Sequence, residues 1–267
     1  MASLDAILFI AATALGAVIG SFLNVVIHRY PRGESIVFPP SHCGSCNAKV
    51  RPYDNVPVLS YLWLRGRCRA CRASFSARYP LVEFANALFY LAIFLQTGPT
   101  IGFLFVAAIA SMTIVLIFID LEIQILPDVI DIPGIALGLG IGALHLGALY
   151  PSLTLSRTLL ESVAGAAAGG GVILAIRLAY QLIRKVEGMG LGDVKMMAMI
   201  GAILGWESLL PVLLLASFAG ALIGVLLAVR SERGMQLALP FGVFLGLATL
   251  VFLFFGRALM ALWLPGL

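Results

Sequence analysis

Residues 101–120 read IGFLFVAAIASMTIVLIFID, nineteen residues without a charge followed by Asp120. An apolar run of about 20 residues is what a helix needs to cross the ~30 Å hydrocarbon core of a bilayer. Comparable runs recur on both sides of it. They lie at roughly 5–27, 82–97, 129–149, 158–183, 194–206, 208–229 and 238–263, with this one at 100–119. The pattern predicts an all-α polytopic membrane protein with about eight transmembrane helices, the sixth short enough to be half-buried. Gly98-Pro99, Tyr150-Pro151 and Gly205-Trp206 punctuate the runs as turns. Composition agrees: 61% of residues are hydrophobic and 11% charged, with mean hydropathy +1.05. Soluble domains run about 45–50% apolar and about 25% charged. The first run, Ile7 to Ile27, lacks a basic leading region and a small-residue cleavage site, which predicts a retained helix.

The basic residues orient the chain. With the N-terminus outside and the spans alternating, 15 of the 17 Lys and Arg fall on cytoplasmic segments, leaving Arg157 and Arg257 outside. The positive-inside bias strongly prefers this arrangement to its inverse. Topology and attraction to anionic lipid headgroups therefore account for the net charge of +4, and no nucleic-acid partner is implied.

One polar island interrupts the helices. Residues 28–80 carry nine Lys or Arg, all four cysteines, and Pro31, Pro39, Pro40, Pro52, Pro57 and Pro80. The prolines predict a loop-rich unit with short strands. So small a unit needs a metal or disulfides to hold its fold. Cys43-x-x-Cys46 and Cys68-x-x-Cys71 have the spacing of a zinc ribbon, in which four thiolates surround one tetrahedral Zn²⁺. Two disulfides or a redox pair are the alternative, disfavoured in the reducing cytosol where the topology puts the island. Four ligands leave no open position, so the metal is expected to be structural. The predicted organisation is thus 1–27 first transmembrane helix, 28–80 cytoplasmic four-cysteine zinc-binding domain and 81–267 helical membrane domain. Ala164 to Gly171, inside the fifth run, together with Gly138, Gly140 and Gly142 in the fourth, predicts close helix–helix packing through small residues.

Carboxylates at membrane boundaries are the functional candidates, because burying one costs at least a few kcal/mol. Asp120 closes the third span, and Asp193 opens the sixth in Gly188-Met189-Gly190-Leu191-Gly192-Asp193-Val194-Lys195. Counting helices puts both at the cytoplasmic face. Two adjacent carboxyl groups cannot both ionise cheaply and share a proton, so one can activate a water while the other polarises a carbonyl. The plainer reading is that Asp193 caps its helix and Asp120 meets a basic loop. Asp128 and Asp131 are rival partners, Asp128 after Pro127 looking more like a helix-start residue. Glu187 is placed to orient the site or to bind a substrate cation.

These blocks together resemble the type IV prepilin peptidase family, the bifunctional leader peptidase/N-methyltransferases that are GxGD aspartyl proteases. The resemblance covers nearly the whole chain. It runs from Gly20-Ser21-Phe22-Leu23-Asn24-Val25 through Cys43 to Glu83, with Asp54-Asn55-Val56-Pro57, Arg65-Gly66-Arg67-Cys68 and Arg78-Tyr79-Pro80-Leu81-Val82-Glu83. It continues at Ile119-Asp120 with Leu126-Pro127-Asp128, and at Glu187 to Lys195. Gly44 departs from it, since proline is common there, but touches no ligand. The resemblance implies Asp120 and Asp193 as the catalytic pair and Cys43, Cys46, Cys68 and Cys71 as zinc-associated cysteines. It implies cleavage of short basic leaders, after a glycine, from prepilin and pseudopilin precursors. It also implies methylation of the new N-terminus from S-adenosylmethionine, and residence in the bacterial inner membrane with the active site on the cytoplasmic side. Cleavage without methylation is the nearest alternative. A zinc-gated membrane transporter would need charges near mid-span, and the span interiors are nearly free of them. A non-catalytic assembly scaffold would be distinguished only by its lack of activity.

Overall fold

The computed structural model describes residues 2–185, 189–230 and 239–263. Glu187 and Gly188, singled out above, and Arg233 of the charge pattern lie outside the described residues. Among the described residues the regular structure is helical, without β-strands: α1 Ala2–Arg29, α2 Leu59–Trp63, α3 Arg78–Thr97, α4 Ile101–Ile123, α5 Asp128–Ala143, α6 Leu146–Leu149, α7 Leu159–Arg184, α8 Leu191–Leu204, α9 Leu209–Arg230 and α10 Phe241–Trp263. Six of them are long and apolar enough to cross a membrane: α1, α3, α4, α7, α9 and α10. The expected eight is reduced because α5 and α8 have only 16 and 14 residues. At 1.5 Å per residue they reach roughly 24 and 21 Å. The run read as 129–149 is two helices, broken where His145 takes φ 53°.

The chain forms two compact units, Met1–Val115 and Leu116–Leu267. In the first, α1 and α3 pack antiparallel. Glycines permit the approach: a Cβ on Gly16 would lie 2.7 Å from the Tyr90 side chain, and one on Gly20 would lie 2.7 Å from the Glu83 backbone. Buried polar side chains lock the pair, as small and polar residues do between membrane helices. Asn86 Nδ2 donates to the Gly16 carbonyl (2.7 Å), and its Oδ1 accepts from Ser111 (3.0 Å), which also meets the Tyr90 hydroxyl (3.1 Å).

The cysteine island lies in this same unit and is built from turns. Its expected short strands are reduced to two isolated bridges, His42 with Lys49 and Arg67 with Ser74. The short helix α2, which nothing in the proline-rich stretch foretold, lies between the two knuckles. Prolines lacking an N–H leave too few donors for a ladder.

In the second unit α8 is the axis. From Met196 to Leu204 all but Ala198 of its residues are buried. A Cβ on Gly165 of α7 would sit 2.1 Å from the Gly201 carbonyl oxygen, and one on Gly201 would sit 2.0 Å from that of Gly165. Gly169 faces Met197 in the same way, so α7 and α8 run antiparallel, in the close contact that the small-residue run predicted. Gly138 of α5 meets Ala202, and Gly192 meets Leu126 just before α5, so α5 runs parallel to α8. The connector before α7 closes the far end of α8. There Ser156 donates from its N–H to Ile203 O (2.8 Å) and from its hydroxyl to Ala202 O (3.0 Å). These are carbonyls of a last helical turn, which lack intrahelical partners.

Candidate functional site

The parallel course of α5 and α8 gathers the acidic helix ends at one end of the second unit. Asp120, near the end of α4, is 5% exposed. Its Oδ2 accepts the Val243 N–H at 3.0 Å. Val243 is the third residue of α10, so Asp120 satisfies one of the orphan donors of a helix 123 residues further along the chain. Glycine makes this possible: a Cβ on Gly242 would lie 2.8 Å from Asp120 Oδ2 and 3.0 Å from Leu126. The sequence reading passed over Gly242. Its signal was Pro240-Phe241-Gly242, a helix start with a bare backbone in an otherwise bulky apolar run.

Asp193 is the third residue of α8, and its Oδ2 accepts the Gly190 N–H at 3.2 Å. The capping reading is thus true of this side chain, and that bond employs one oxygen only. The side chain is half-buried and lies within electrostatic reach of Asp120. Leu126 joins the two aspartates, because it packs on Gly192 beside Asp193 and on Gly242 beside Asp120. A Cβ on Gly192 would be 2.7 Å from Leu126, so the glycine before Asp193 is a packing requirement as well as a backbone opening.

The rivals separate. Asp128 is the first residue of α5, and both its oxygens accept from Lys195 Nζ at 2.6 Å. That pair is partly exposed, adds little stability, and leaves Asp128 engaged at a helix start. Asp131, one turn on, is 0% exposed, and neither of its oxygens has a hydrogen-bond partner among the described residues. Asp128, Lys195 and Asp193 are the charged groups that reach it. Enclosing a polar group without a partner is costly, which sets Asp131 apart from the salt-bridged Asp128.

The four cysteines converge in the first unit. All are free, and their sulfurs lie within 4.8 Å of one another, with Cys43 Sγ and Cys71 Sγ 3.8 Å apart. Each knuckle is built alike. Cys43 N–H bonds Ala48 O (2.9 Å) as Cys68 N–H bonds Ala73 O (2.8 Å), and Asn47 N–H bonds Cys43 O as Arg72 N–H bonds Cys68 O. Asn47 and Arg72 both take positive φ, 55° and 62°. This internal repeat escaped the sequence reading, although Cys-x-x-Cys-x-Ala at 43–48 and 68–73 spells it out. Backbone N–H groups of Ser45 and Cys46 draw the Cys43 thiol down to about 6. Cys46 has the Ala48 backbone in its favour, yet its contact with Cys71 and burial push it up to about 11. Four thiolates cannot crowd together without a cation, and a thiophilic metal fits this donor set. Beside the knuckles, Arg69 holds both oxygens of Asp54 (2.8 and 2.5 Å) and keeps that carboxyl below the usual range.

Comparison with known proteins agrees with both halves of the chain. Residues 14–97 match the Bacterial Peptidase A24 N-terminal domain, and residues 107–225 match the Type IV leader peptidase family. A prepilin leader peptidase/N-methyltransferase of Aeromonas hydrophila is 37% identical over 90% of this chain and 88% of its own. One from Pseudomonas putida is 36% identical over 94% of this chain and 91% of its own. One from Pseudomonas aeruginosa is 34% identical over 91% and 88%. No solved structure matches the chain.

Proposed function

The chain belongs to the type IV leader peptidase family, and from that premise we propose how its residues perform the work. It is a membrane enzyme that removes the leader peptide of type IV prepilins and methylates the N-terminal residue so exposed. Asp120 and Asp193 are the catalytic pair. The observation that carries this is the placement of the two carboxyls: Asp120, buried and held by backbone donors at the start of α10, lies within electrostatic reach of Asp193 at the start of α8. Two carboxyl groups so placed share a proton. Asp120, held as an acceptor by the Val243 N–H, takes a proton from water as the oxygen attacks the scissile carbonyl carbon. Asp193 gives its proton to the carbonyl oxygen. Collapse of the tetrahedral species breaks the C–N bond, and a proton passes to the leaving amine.

The substrates are prepilin and pseudopilin precursors, whose short basic leaders are cut off after a glycine. The enzyme lies in the bacterial inner membrane with its N-terminus outside and the aspartates and the cysteine island on the cytoplasmic side. That orientation needs α5 and α8 to carry the chain across beside α7, and their course along α7 supports it. Residues 28–80 form a domain holding one structural Zn²⁺ through Cys43, Cys46, Cys68 and Cys71. S-adenosylmethionine supplies the methyl group when bound. Without a strand among the described residues there is no βαβ nucleotide unit among them, and no side chain is assigned to the donor.

Co-expression with a prepilin tests the pair. Asp120→Asn and Asp193→Asn each reduce cleavage by at least ~10³-fold while membrane insertion stays intact. Near-normal processing by either variant refutes the assignment. An active Asp120→Asn beside a dead Asp128→Asn or Asp131→Asn hands the partner's role to the latter.

A further inference from the structure

The cysteine island carries an apolar face with none of the described residues packed against it. Leu59, Leu62 and Trp63 sit at positions i, i+3 and i+4 of α2, on one side of the helix. They are 65, 64 and 84% exposed. The helix's other side is fastened inward: the Tyr61 hydroxyl donates to Phe75 O (3.3 Å), and Gly66 abuts the Tyr61 ring, 2.8 Å from where its Cβ would be. Three large side chains projecting from a fastened helix are costly in water, so something covers them.

Two facts say what. The island is tied at both ends to helices long enough to cross the membrane, α1 and α3. It is also pinned at a definite depth. The Val58 N–H, at the start of α2, donates to Glu83 Oε2 at 2.7 Å. Glu83 is the sixth residue of α3, roughly 7–8 Å along its axis. The 20 residues of α3 just match the ~30 Å core, so its sixth residue lies at or below the core's edge. The first turn of α2 is therefore held at the level where headgroups meet acyl chains. Trp favours that level, and Leu favours the acyl side of it. Exposed Arg65 and Arg67 follow directly after α2, placed for lipid phosphates.

We propose that α2 is a membrane foot: Leu59, Leu62 and Trp63 insert into the headgroup–acyl boundary of the bilayer the chain spans, with Arg65 and Arg67 on anionic headgroups. The foot fixes the island against the membrane surface, a role separate from cleavage and from metal binding.

The test uses the full chain carrying Trp206→Phe and Trp263→Phe, which leaves Trp63 as the single tryptophan. The protein is placed in nanodiscs of phosphatidylcholine and phosphatidylglycerol, with and without bromine on the acyl chains near the headgroup. The expected result is that Trp63 loses most of its emission to the bromines and is shielded from aqueous iodide. Adding Leu59→Ser and Leu62→Ser should return Trp63 to iodide and reduce bromine quenching several-fold. Quenching by iodide without quenching by bromolipid overturns the foot. So does shielding that appears only when a prepilin is added, which would make the face a peptide-docking surface.

Discussion

The cysteine island and the aspartate site achieve convergence by opposite means. In the island, four cysteine sulfurs come from two short knuckles, each closed by backbone hydrogen bonds that stay within about ten residues. Little else holds it, for it has isolated bridges, short helical turns and few buried apolar side chains. In the aspartate site the Gly190 cap of Asp193 is local, and the contacts that bring the two aspartates together are remote in sequence. Asp120 meets α10, Asp193 lies within reach of Asp120, and glycine contacts between α7 and α8 set the register. A metal can organise a poor core because its binding free energy is folding free energy. Helices in lipid lack a hydrophobic drive to associate, so close backbone packing has to organise the other.

The sharpest way to break the comparison is to remove the cysteines proposed to hold zinc. Cys43→Ser with Cys46→Ser deletes half of the proposed ligand set, and structural zinc contributes on the order of 10 kcal/mol to small domains. The island is expected to unfold, with about one Zn²⁺ per chain lost by elemental analysis. Cleavage needs the carboxylates, a water and an extended peptide, and the carboxylates belong to the second unit. Methylation should therefore fall much further than cleavage. Mass spectrometry of mature pilin from such a strain decides it: cleaved, unmethylated pilin supports the division, and fully methylated pilin at normal yield refutes it. Cysteines found as disulfides in zinc-free protein would overturn both the metal and the cytoplasmic placement.

A second substitution acts on the other region alone. Gly165→Ala puts a methyl group 2.1 Å from a backbone oxygen of α8, and Gly201→Ala puts one 2.0 Å from α7. Neither neighbour is a flexible side-chain tip, so the helices must separate. Overpacking of this kind typically costs about 1–3 kcal/mol, occasionally more. Both variants should lower the thermal midpoint in detergent and reduce cleavage, since the start of α8 carries Asp193. Zinc content should not change. Gly171→Ala, with open space around it, is the matched control and should behave as wild type.

The same contrast explains what could be read from the sequence. The knuckles were legible because a metal set is written in spacing, and the glycine run was legible because small residues in a membrane helix have few other uses. Asp120 and Asp193 stood out as costly residues at span ends. Their pairing depended on helix count, yet two of the counted helices proved shorter than a crossing. Gly242 and the α10 N-terminus were hidden, because no local pattern links residue 120 to residue 243. Helix α2 was masked by the surrounding prolines. Asp128 and Asp131 both stood as rival partners, with Asp128 after Pro127 looking more like a helix-start residue. Packing completes the distinction, one salt-bridged at the surface and one wholly enclosed.

That last difference carries the smallest effect. The Asp128–Lys195 pair is partly exposed, so breaking it with Asp128→Asn should cost no more than about 1 kcal/mol. Asp131 is the opposite case, since it is enclosed with both oxygens unpartnered among the described residues. A buried polar group in that condition subtracts from stability, and an apolar group of the same shape removes the penalty. Leucine has the branching of aspartate, with methyl groups where the oxygens stand. Asp131→Leu should therefore hold or raise the thermal midpoint in detergent, by the equivalent of roughly 1–3 kcal/mol at most. A clear fall in the midpoint would mean that Asp131 has hydrogen-bonded water in the folded protein. Cleavage by the same variant sharpens the contrast further. If the aspartate site is a pair, a folded Asp131→Leu protein processes prepilin at close to the normal rate. If it folds as well as wild type and cleaves nothing, Asp131 touches the reaction, and the site is a triad rather than a pair.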